Sequence, residues 1–402
     1  MESASSVPCV AIACGGTGGH LFPGRAVGEA LVQRGCSISL FLSPKEVDRQ
    51  SLAGLAGWET TELPAVGLDA RHPLRFLRGV WFSYRVAVRQ FRRRRPQAVL
   101  AMGGFTSAGP VLAARRHRLP VFLHESNTIP GRANRWLAPL ARQVFVGFPQ
   151  AASRLRNRRV TCTGTPVRAE FQSRDAGADR VSLGLDAQRP VLVVMGGSQG
   201  ARAVNRLFLD ALPRLAHEVP ELQYLHLTGS ADAEATREAY AREQRAAAVR
   251  AFLGDMACAL SAGSVAVSRA GASSLAELAA MRLPSVLIPL PQAADNHQWH
   301  NARAYADTGA ARLLEQQRAA PETLVPMVRE LVRDGAAAEL VRQALRSWHR
   351  PNAAGDIAGE ILRCSVGTGW QGAAVGRVAP EKTPASWHGS GRGNGGAAMV
   401  RS

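Results

Sequence analysis

The residues best suited to chemistry are glycines and hydroxyls in two similar settings. Gly196, Gly197 and Gly200 bracket Ser198 and Gln199, directly behind the apolar run of residues 190–195. Glycines let the backbone approach an anion closely. The free N–H groups of a helix start point at that anion, and Ser198 adds a hydroxyl donor. The pattern is not the G-x-G-x-x-G dinucleotide fingerprint. It is not a P-loop either, because no Lys-Ser or Lys-Thr follows. Gly15, Gly16, Thr17, Gly18, Gly19 and His20 repeat the arrangement behind the apolar run of residues 7–14. Either loop alone could be a βα turn that binds nothing. One copy in each half points to phosphate chemistry on both sides of a cleft.

Positioning such loops requires strands and helices in alternation. The apolar runs at 7–14, 37–42, 98–102, 120–123, 143–146, 190–195, 223–227, 249–253, 264–267 and 286–289 read as buried strands, with a short one near 60–63. Helices are predicted from Pro23 to Arg34, closed by Gly35, and over 132–140, 201–212, 231–248, 323–333, 338–347 and 353–362. This alternation predicts an α/β protein with parallel sheets, whose ligands bind beyond the carboxyl ends of strands. The polar clusters fall there: residues 17–20, 103–107, 124–127, 198–199, 273–277 and 295–298. The expected division is a first domain over 1–167, a second over 168–348 and a returning helix over 349–364. Residues 365–402 have little periodicity and are predicted to be a disordered tail.

Length and composition exclude several classes. A chain of 402 residues is too long for one ordinary core. Its net charge of +18 favours an anionic partner, although no nucleic-acid-binding module is recognisable. The cysteines form no C-x-x-C pair, which suits a reducing compartment and gives no zinc site. No apolar run reaches the length of a membrane span, and residues 7–14 lack the basic flank of a signal peptide.

One segment is unusual. Leu74, Leu77, Trp81, Tyr84, Val88 and Phe91 recur at helical spacing, with Arg75, Arg78, Arg85, Arg89 and Arg92 around them. Aromatics and cations on one helix suit a membrane interface. The expected division leaves Tyr84, Val88 and Phe91 in the core, while Leu74, Phe76, Leu77 and Trp81 face anionic lipid.

Taken in order, residues 15–24, 102–110, 124–127, 166–168, 196–201, 269–277 and 295–302 resemble the motifs of the MurG family. These are bacterial UDP-N-acetylglucosamine: undecaprenyl-diphosphoryl-N-acetylmuramoyl-pentapeptide transferases. The resemblance runs from about Val7 to Leu362. It implies a GT-B glycosyltransferase fold, with two Rossmann-like domains facing across a cleft and a C-terminal helix packing back on the first. The implied reaction is inverting transfer of N-acetylglucosamine from UDP to the 4-hydroxyl of lipid I, forming lipid II. The implied place is the cytoplasmic face of the bacterial inner membrane, peripherally bound. Cell-wall synthesis or division proteins are the implied class of protein partner.

The resemblance also implies roles. Ser198 and its loop would meet the UDP diphosphate, and Glu277 both ribose hydroxyls, since a carboxylate is acceptor-only. Ala272, Ser273, Ser274, Leu275 and Ala276 would line the nucleotide. Leu253, at a strand end, would offer backbone groups to uracil. Gln298 and Asn127 would bind the sugar, and Arg168 would sit at the interdomain mouth. Thr17, Gly18 and Gly19 would cradle the acceptor diphosphate. Inversion needs a base for the attacking hydroxyl. His20, at a helix start whose dipole favours the neutral ring, is the first candidate and Glu125 its rival. Loop N–H groups can stabilise the leaving UDP, so the scheme calls for no metal or cofactor, and no Asp-x-Asp motif is present. Ser126, Thr165, Ala270, Ser273 and Ser274 depart from residues common in the family, which leaves side-chain roles at 126 and 270 open. Other classes remain: a glycolipid synthase of the same fold acting on diacylglycerol, and a basic nucleic-acid-binding protein.

Overall fold

In a computed structural model of the chain, residues 7–16, 18–44, 57–65, 73–197 and 200–365 are described. Thr17, Ser198 and Gln199 lie outside them. So do part of the mixed stretch between 45 and 72 and the tail beyond Ser365.

Two parallel sheets form. The first contains β1 (Cys9–Ala13), β2 (Ser37–Leu42), β3 (Glu59–Glu62), β4 (Ala98–Ala101), β5 (Val121–Glu125), β6 (Gln143–Val146) and β7 (Val160–Cys162). Their spatial order is β3-β2-β1-β4-β5-β6-β7. The second contains β8 (Val191–Met195), β9 (Gln223–Leu227), β10 (Ala247–Arg250), β11 (Val265–Ser268), β12 (Ser285–Leu287) and β13 (Arg312–Leu313), ordered β10-β9-β8-β11-β12-β13. Each strand pair is parallel. Both sheets reverse direction at their first strand, between β1 and β4 and between β8 and β11. Those switch points open the crevices in which such sheets bind ligands. The glycine-rich loops follow β1, β4 and β8, so the topology puts them at the crevices.

The central strands are buried on both faces, as continuous apolar runs require. The C-terminal helix, Ala353–Ser365, returns to the first domain. Its Ile357 and Ile361 pack with Val27 and Leu31 in one core cluster. Where the chain crosses between domains, Phe148 lies 6.1 Å from Tyr305 and 5.4 Å from Trp348, ring to ring.

Several boundaries differ from expectation. The first helix spans Gly18–Val32 with Pro23 inside it, rather than starting at Pro23. A proline in the second turn removes one helical N–H and leaves the carbonyl four residues earlier, Gly19, without its helical partner. The expected helix over 231–248 ends at Arg242, where Gln244 takes a left-handed φ of 51°, and residues 247–250 become β10 instead. Leu253 therefore lies in the loop beyond that strand. The helix from Arg132 tightens into a 3₁₀ turn over Ala138–Leu140, at Pro139.

The basic amphipathic helix spans Pro73–Arg94. It crosses the helix Ala108–Arg116 at Gly109, where a Cβ would come within 2.6 Å of the Ser83 Cβ. Phe91 is buried, and Tyr84 and Val88 pack partly against the same core. Leu74, Leu77 and Trp81 are 74%, 59% and 57% exposed. Phe76 departs from expectation, since it turns partly inward to line the interdomain cavity, while Phe82 is exposed.

Candidate active site between the domains

A cavity of about 1450 Å³ lies between the domains, with room for more than one small substrate. Its first wall comes from the start of the helix Gly18–Val32, the turn after β4 and the loop after β5. Its second wall comes from the start of the helix Ala272–Ala280 and the loops after β8, β10 and β12.

His20 is in the first turn of its helix, and its ring lies along the backbone of Gly103 and Gly104. A Cβ on Gly103 would sit 3.3 Å from the ring Nε2, and one on Gly104 3.1 Å from Cε1. Both glycines have left-handed φ, 99° and 73°. Sterics and backbone conformation thus both require glycine where the imidazole rests.

The loop after β5 is organised by two buried residues. Glu125, the last residue of β5, accepts hydrogen bonds at one oxygen from the Asn127 N–H (2.8 Å) and its side-chain amide (3.2 Å). At the other it accepts from the Gly131 N–H (2.8 Å) and Asn134 Nδ2 (2.9 Å). Burial raises its carboxyl above the usual range, and these bonds oppose that rise. His124 Nε2 faces the Gly164 carbonyl (3.1 Å), so that nitrogen carries the proton. Its Nδ1 then accepts from the Ser126 hydroxyl (3.2 Å), which gives the serine at 126 a definite role. Burial, opposed by the Gly164 bond, pushes the His124 imidazole down to about 4, and the neighbouring His20 adds to the depression. Glu125→Gln would turn one acceptor end into a donor facing donors. It should destabilise the protein by about 1–3 kcal/mol, read as a lower Tm, before any effect on turnover.

Asn301 ties this loop to the second domain. Its Oδ1 accepts from the Thr128 N–H and hydroxyl, each at 2.9 Å. Its Nδ2 donates to Asn127 Oδ1 (3.0 Å) and the Ala270 carbonyl (3.2 Å). A second bridge uses the carbonyl that Pro23 released: the Ser273 hydroxyl donates to Gly19 O at 3.2 Å. Arg135 and Asp295 add an ion pair at 2.5 Å across the rim, and such half-exposed pairs contribute little.

On the second wall, Glu277 projects from the helix Ala272–Ala280 and is only 8% exposed. Burial pushes its carboxyl up to about 7, although Arg168 opposes this. Arg168 lies 2.8 Å from Glu170 and 3.6 Å from Glu277. Its guanidinium is stacked between Phe22 and Phe171, 4.5 and 5.0 Å from their ring centres. The Glu277 contact is an ion pair too long for a hydrogen bond, and Arg168 Nε and Nη2 have no hydrogen-bond partner among the described residues. Gln298 Oε1 accepts from the Leu290 N–H (3.0 Å) and the Ala270 N–H (3.3 Å). That leaves the NH₂ end of the amide for a ligand in the cavity Gln298 lines.

Gly18, Gly19, His20, Asn127, Arg168, Leu253, Ala272, Ser273, Ser274, Glu277 and Gln298 all line the one cavity. Thr17 and Ser198 fall outside the described residues. Leu275 and Ala276 do not line it; both are buried, Leu275 fully. Consecutive helical residues turn by about 100°, so one helix start cannot present all of 272–277 to a ligand. Glu125 sits behind the wall, and Asn127 uses its side chain in the interdomain bridge. Sequence reasoning missed Asn301 and Phe22, which act through distant partners, and Asn134 and Glu170, whose partners lie closer in the chain. It also missed the exposed Trp136.

Two facing Rossmann-like domains, with the crevices of both sheets opening on a shared cleft, form the GT-B architecture found in glycosyltransferases. Residues 10–146 match the glycosyltransferase family 28 N-terminal domain, and residues 191–351 its C-terminal domain. The UDP-N-acetylglucosamine–N-acetylmuramyl-(pentapeptide) pyrophosphoryl-undecaprenol N-acetylglucosamine transferase of Acidithiobacillus ferrooxidans is 40% identical over 330 residues, 81% of this chain and 89% of that protein. Its namesake in Verminephrobacter eiseniae is 38% identical over 330 residues, 80% of this chain and 89% of that protein. The crystal structure of Acinetobacter baumannii MurG superposes with a TM-score of 0.69 at 28% identity, over 89% of this chain and 99% of that one. The chain belongs to glycosyltransferase family 28, and within it to the MurG family.

Proposed function

We propose that this enzyme transfers N-acetylglucosamine from UDP-N-acetylglucosamine, with inversion, to the 4-hydroxyl of undecaprenyl-diphosphoryl-N-acetylmuramoyl-pentapeptide, making lipid II for peptidoglycan. The observation that carries the reading is the pairing across one cavity of His20, on its glycine shelf, with the buried Glu277. The relatives' shared name supports the substrates. The second domain holds the donor. Glu277 takes the ribose hydroxyls, the Gln298 amide the sugar, and backbone N–H groups after β8 the diphosphate. The first domain holds the acceptor, with its diphosphate at the start of the helix Gly18–Val32. The acceptor oxygen attacks C1, His20 takes its proton, and the C1–O bond breaks as UDP leaves with the electron pair. Glu125, held by its four hydrogen bonds, shapes the acceptor loop rather than serving as the base. Transfer of labelled sugar to a lipid I analogue, with diacylglycerol as the competing acceptor, tests the reading. Transfer to diacylglycerol alone would replace it with glycolipid synthesis.

The acceptor's lipid lies in a bilayer, so the first domain must reach the membrane surface. No helix among the described residues is long and apolar enough to cross one. Leu74, Leu77 and Trp81 are exposed on the basic helix Pro73–Arg94, and Trp136, on the helix Arg132–Leu137, is 80% exposed. Leu77, Leu112 and Trp136 also line the outer reach of the cavity, which makes the patch continuous with the acceptor side. This supports peripheral binding at the anionic cytoplasmic leaflet, with each arginine worth about 1 kcal/mol there. Vesicle flotation should rise with phosphatidylglycerol content and fall with salt. Leu77→Ser/Trp81→Ser and Arg75→Glu/Arg78→Glu should each abolish most of it without loss of fold. Binding indifferent to anionic lipid would move the patch's role elsewhere.

A further inference from the structure

Behind β8, on the side away from β11, the second domain buries a chain of polar side chains that no step above uses. Tyr240, His226 and Asn205 are 2%, 0% and 2% exposed. They come from the helix Ala233–Arg242, from β9 and from the first turns of the helix Arg202–Glu218.

The hydrogen bonds allow one proton arrangement. Asn205 Nδ2 donates to the Thr228 carbonyl (2.9 Å) and Asp232 Oδ2 (2.7 Å). Its Oδ1 therefore faces His226 Nε2 (3.2 Å), which must carry a proton. His226 Nδ1 is then an acceptor, and the Tyr240 hydroxyl donates to it (3.2 Å). Burial pushes the His226 imidazole down to about 3, although Asp232 opposes this, so the ring stays neutral at any working pH.

The far end of the chain touches the donor loop. Gly200 has a left-handed φ of 72°, and a Cβ there would come within 2.3 Å of the Thr228 carbonyl oxygen. That carbonyl is the one Asn205 holds. Asn205 also closes the first helical turn through its own N–H, which donates to Ala201 O at 2.9 Å. We propose that His226, acting through Asn205, is a positioning residue for the donor's diphosphate: it sets the carboxamide that fixes Gly200, Ala201 and the start of the helix Arg202–Glu218. This rests on the reading that the donor is a UDP-sugar.

A positioning role predicts loss at the diphosphate and not at the nucleoside. By calorimetry, His226→Leu should weaken UDP binding about ten-fold, the size expected when about one buried hydrogen bond is lost, and change uridine binding less than about two-fold. KM for the UDP-sugar should rise in step, with kcat within about three-fold. His226→Gln offers a donor and an acceptor at roughly the spacing of the two ring nitrogens, so it should restore UDP binding to within about three-fold of wild type. Tyr240→Phe should show a smaller loss of the same kind, and it carries the test if His226→Leu does not fold. Equal loss of UDP and uridine, an unchanged preference for UDP, or no rescue by Gln would each overturn the proposal. If the wild type binds no UDP at all, the donor reading itself has failed. Amide hydrogen exchange at residues 200–205 of the ligand-free proteins then decides the positioning role alone. Faster exchange in His226→Leu, reversed in His226→Gln, supports it, and equal rates overturn it.

Discussion

His20→Ala should lower kcat by roughly 10²–10⁴-fold, the range for losing a positioned proton acceptor, while UDP affinity changes little. The asymmetry follows from the geometry. The ring belongs to the first domain and packs on Gly103 and Gly104, whereas the groups proposed to hold UDP project from the second. Removing the ring leaves the donor's contacts in place and the acceptor hydroxyl without a proton acceptor. His20→Asn, which can hydrogen-bond but not take a proton at neutral pH, should be as slow as Ala. If kcat holds in either variant while the acceptor KM climbs, His20 binds diphosphate instead of moving a proton. Gly104→Ala offers a second route to the same end. It would force a side chain into a left-handed φ and within 3.1 Å of the ring, so it should depress kcat without touching UDP affinity.

Glu277→Gln should cost at least about ten-fold in kcat/KM for the UDP-sugar, since two charge-assisted hydrogen bonds to the ribose weaken. The same substitution has an opposite signature in the free protein. Burial raises the Glu277 carboxyl from 4.5 to about 7, so the folded chain holds that proton more tightly than the unfolded chain does. Its stabilising contribution is complete below about pH 4.5 and is lost as pH rises through about 7. Relative to Glu277→Gln, the wild type should therefore lose up to about 3 kcal/mol of stability between acidic and mildly alkaline pH. UDP runs the other way: with the carboxylate proposed to hold its ribose, wild-type affinity should rise more steeply with pH through about 7 than that of the Gln variant, whose slope reports only ionisation of the UDP phosphate. Denaturant melts and UDP titrations at pH 5 and pH 8.5 check both slopes. A wild type and variant with parallel pH profiles would remove Glu277 from the ribose site.

The sequence alone determined the α/β class, the presence of a glycine-rich loop in each half and the motif order that marks the family. These are local properties. Apolar runs with β-branched residues form strands wherever they are buried, and glycines permit left-handed turns whatever surrounds them. It also located the basic amphipathic helix, because residue type and helical spacing are visible in one dimension, while the resemblance carried by the motifs pointed to His20 and Glu277. The tertiary structure decided what each group is free to do. Glu125 and His20 both read as bases, yet the fold surrounds Glu125 with four donors behind the wall and packs the His20 ring along Gly103 and Gly104 at the cavity. Residues 272–277 read as one nucleotide-binding stretch, and helical geometry buried Leu275 and Ala276 away from the cavity. Pro23 read as a helix start; inside the helix it frees the Gly19 carbonyl for Ser273 of the other domain. Asn301 carried no signal of its own, since its role exists only where Thr128, Asn127 and Ala270 converge on one carboxamide. Propensity and spacing act over a few residues, whereas Asn301 and Ser273 take their partners from chain segments more than a hundred residues away. Only folding brings those segments together.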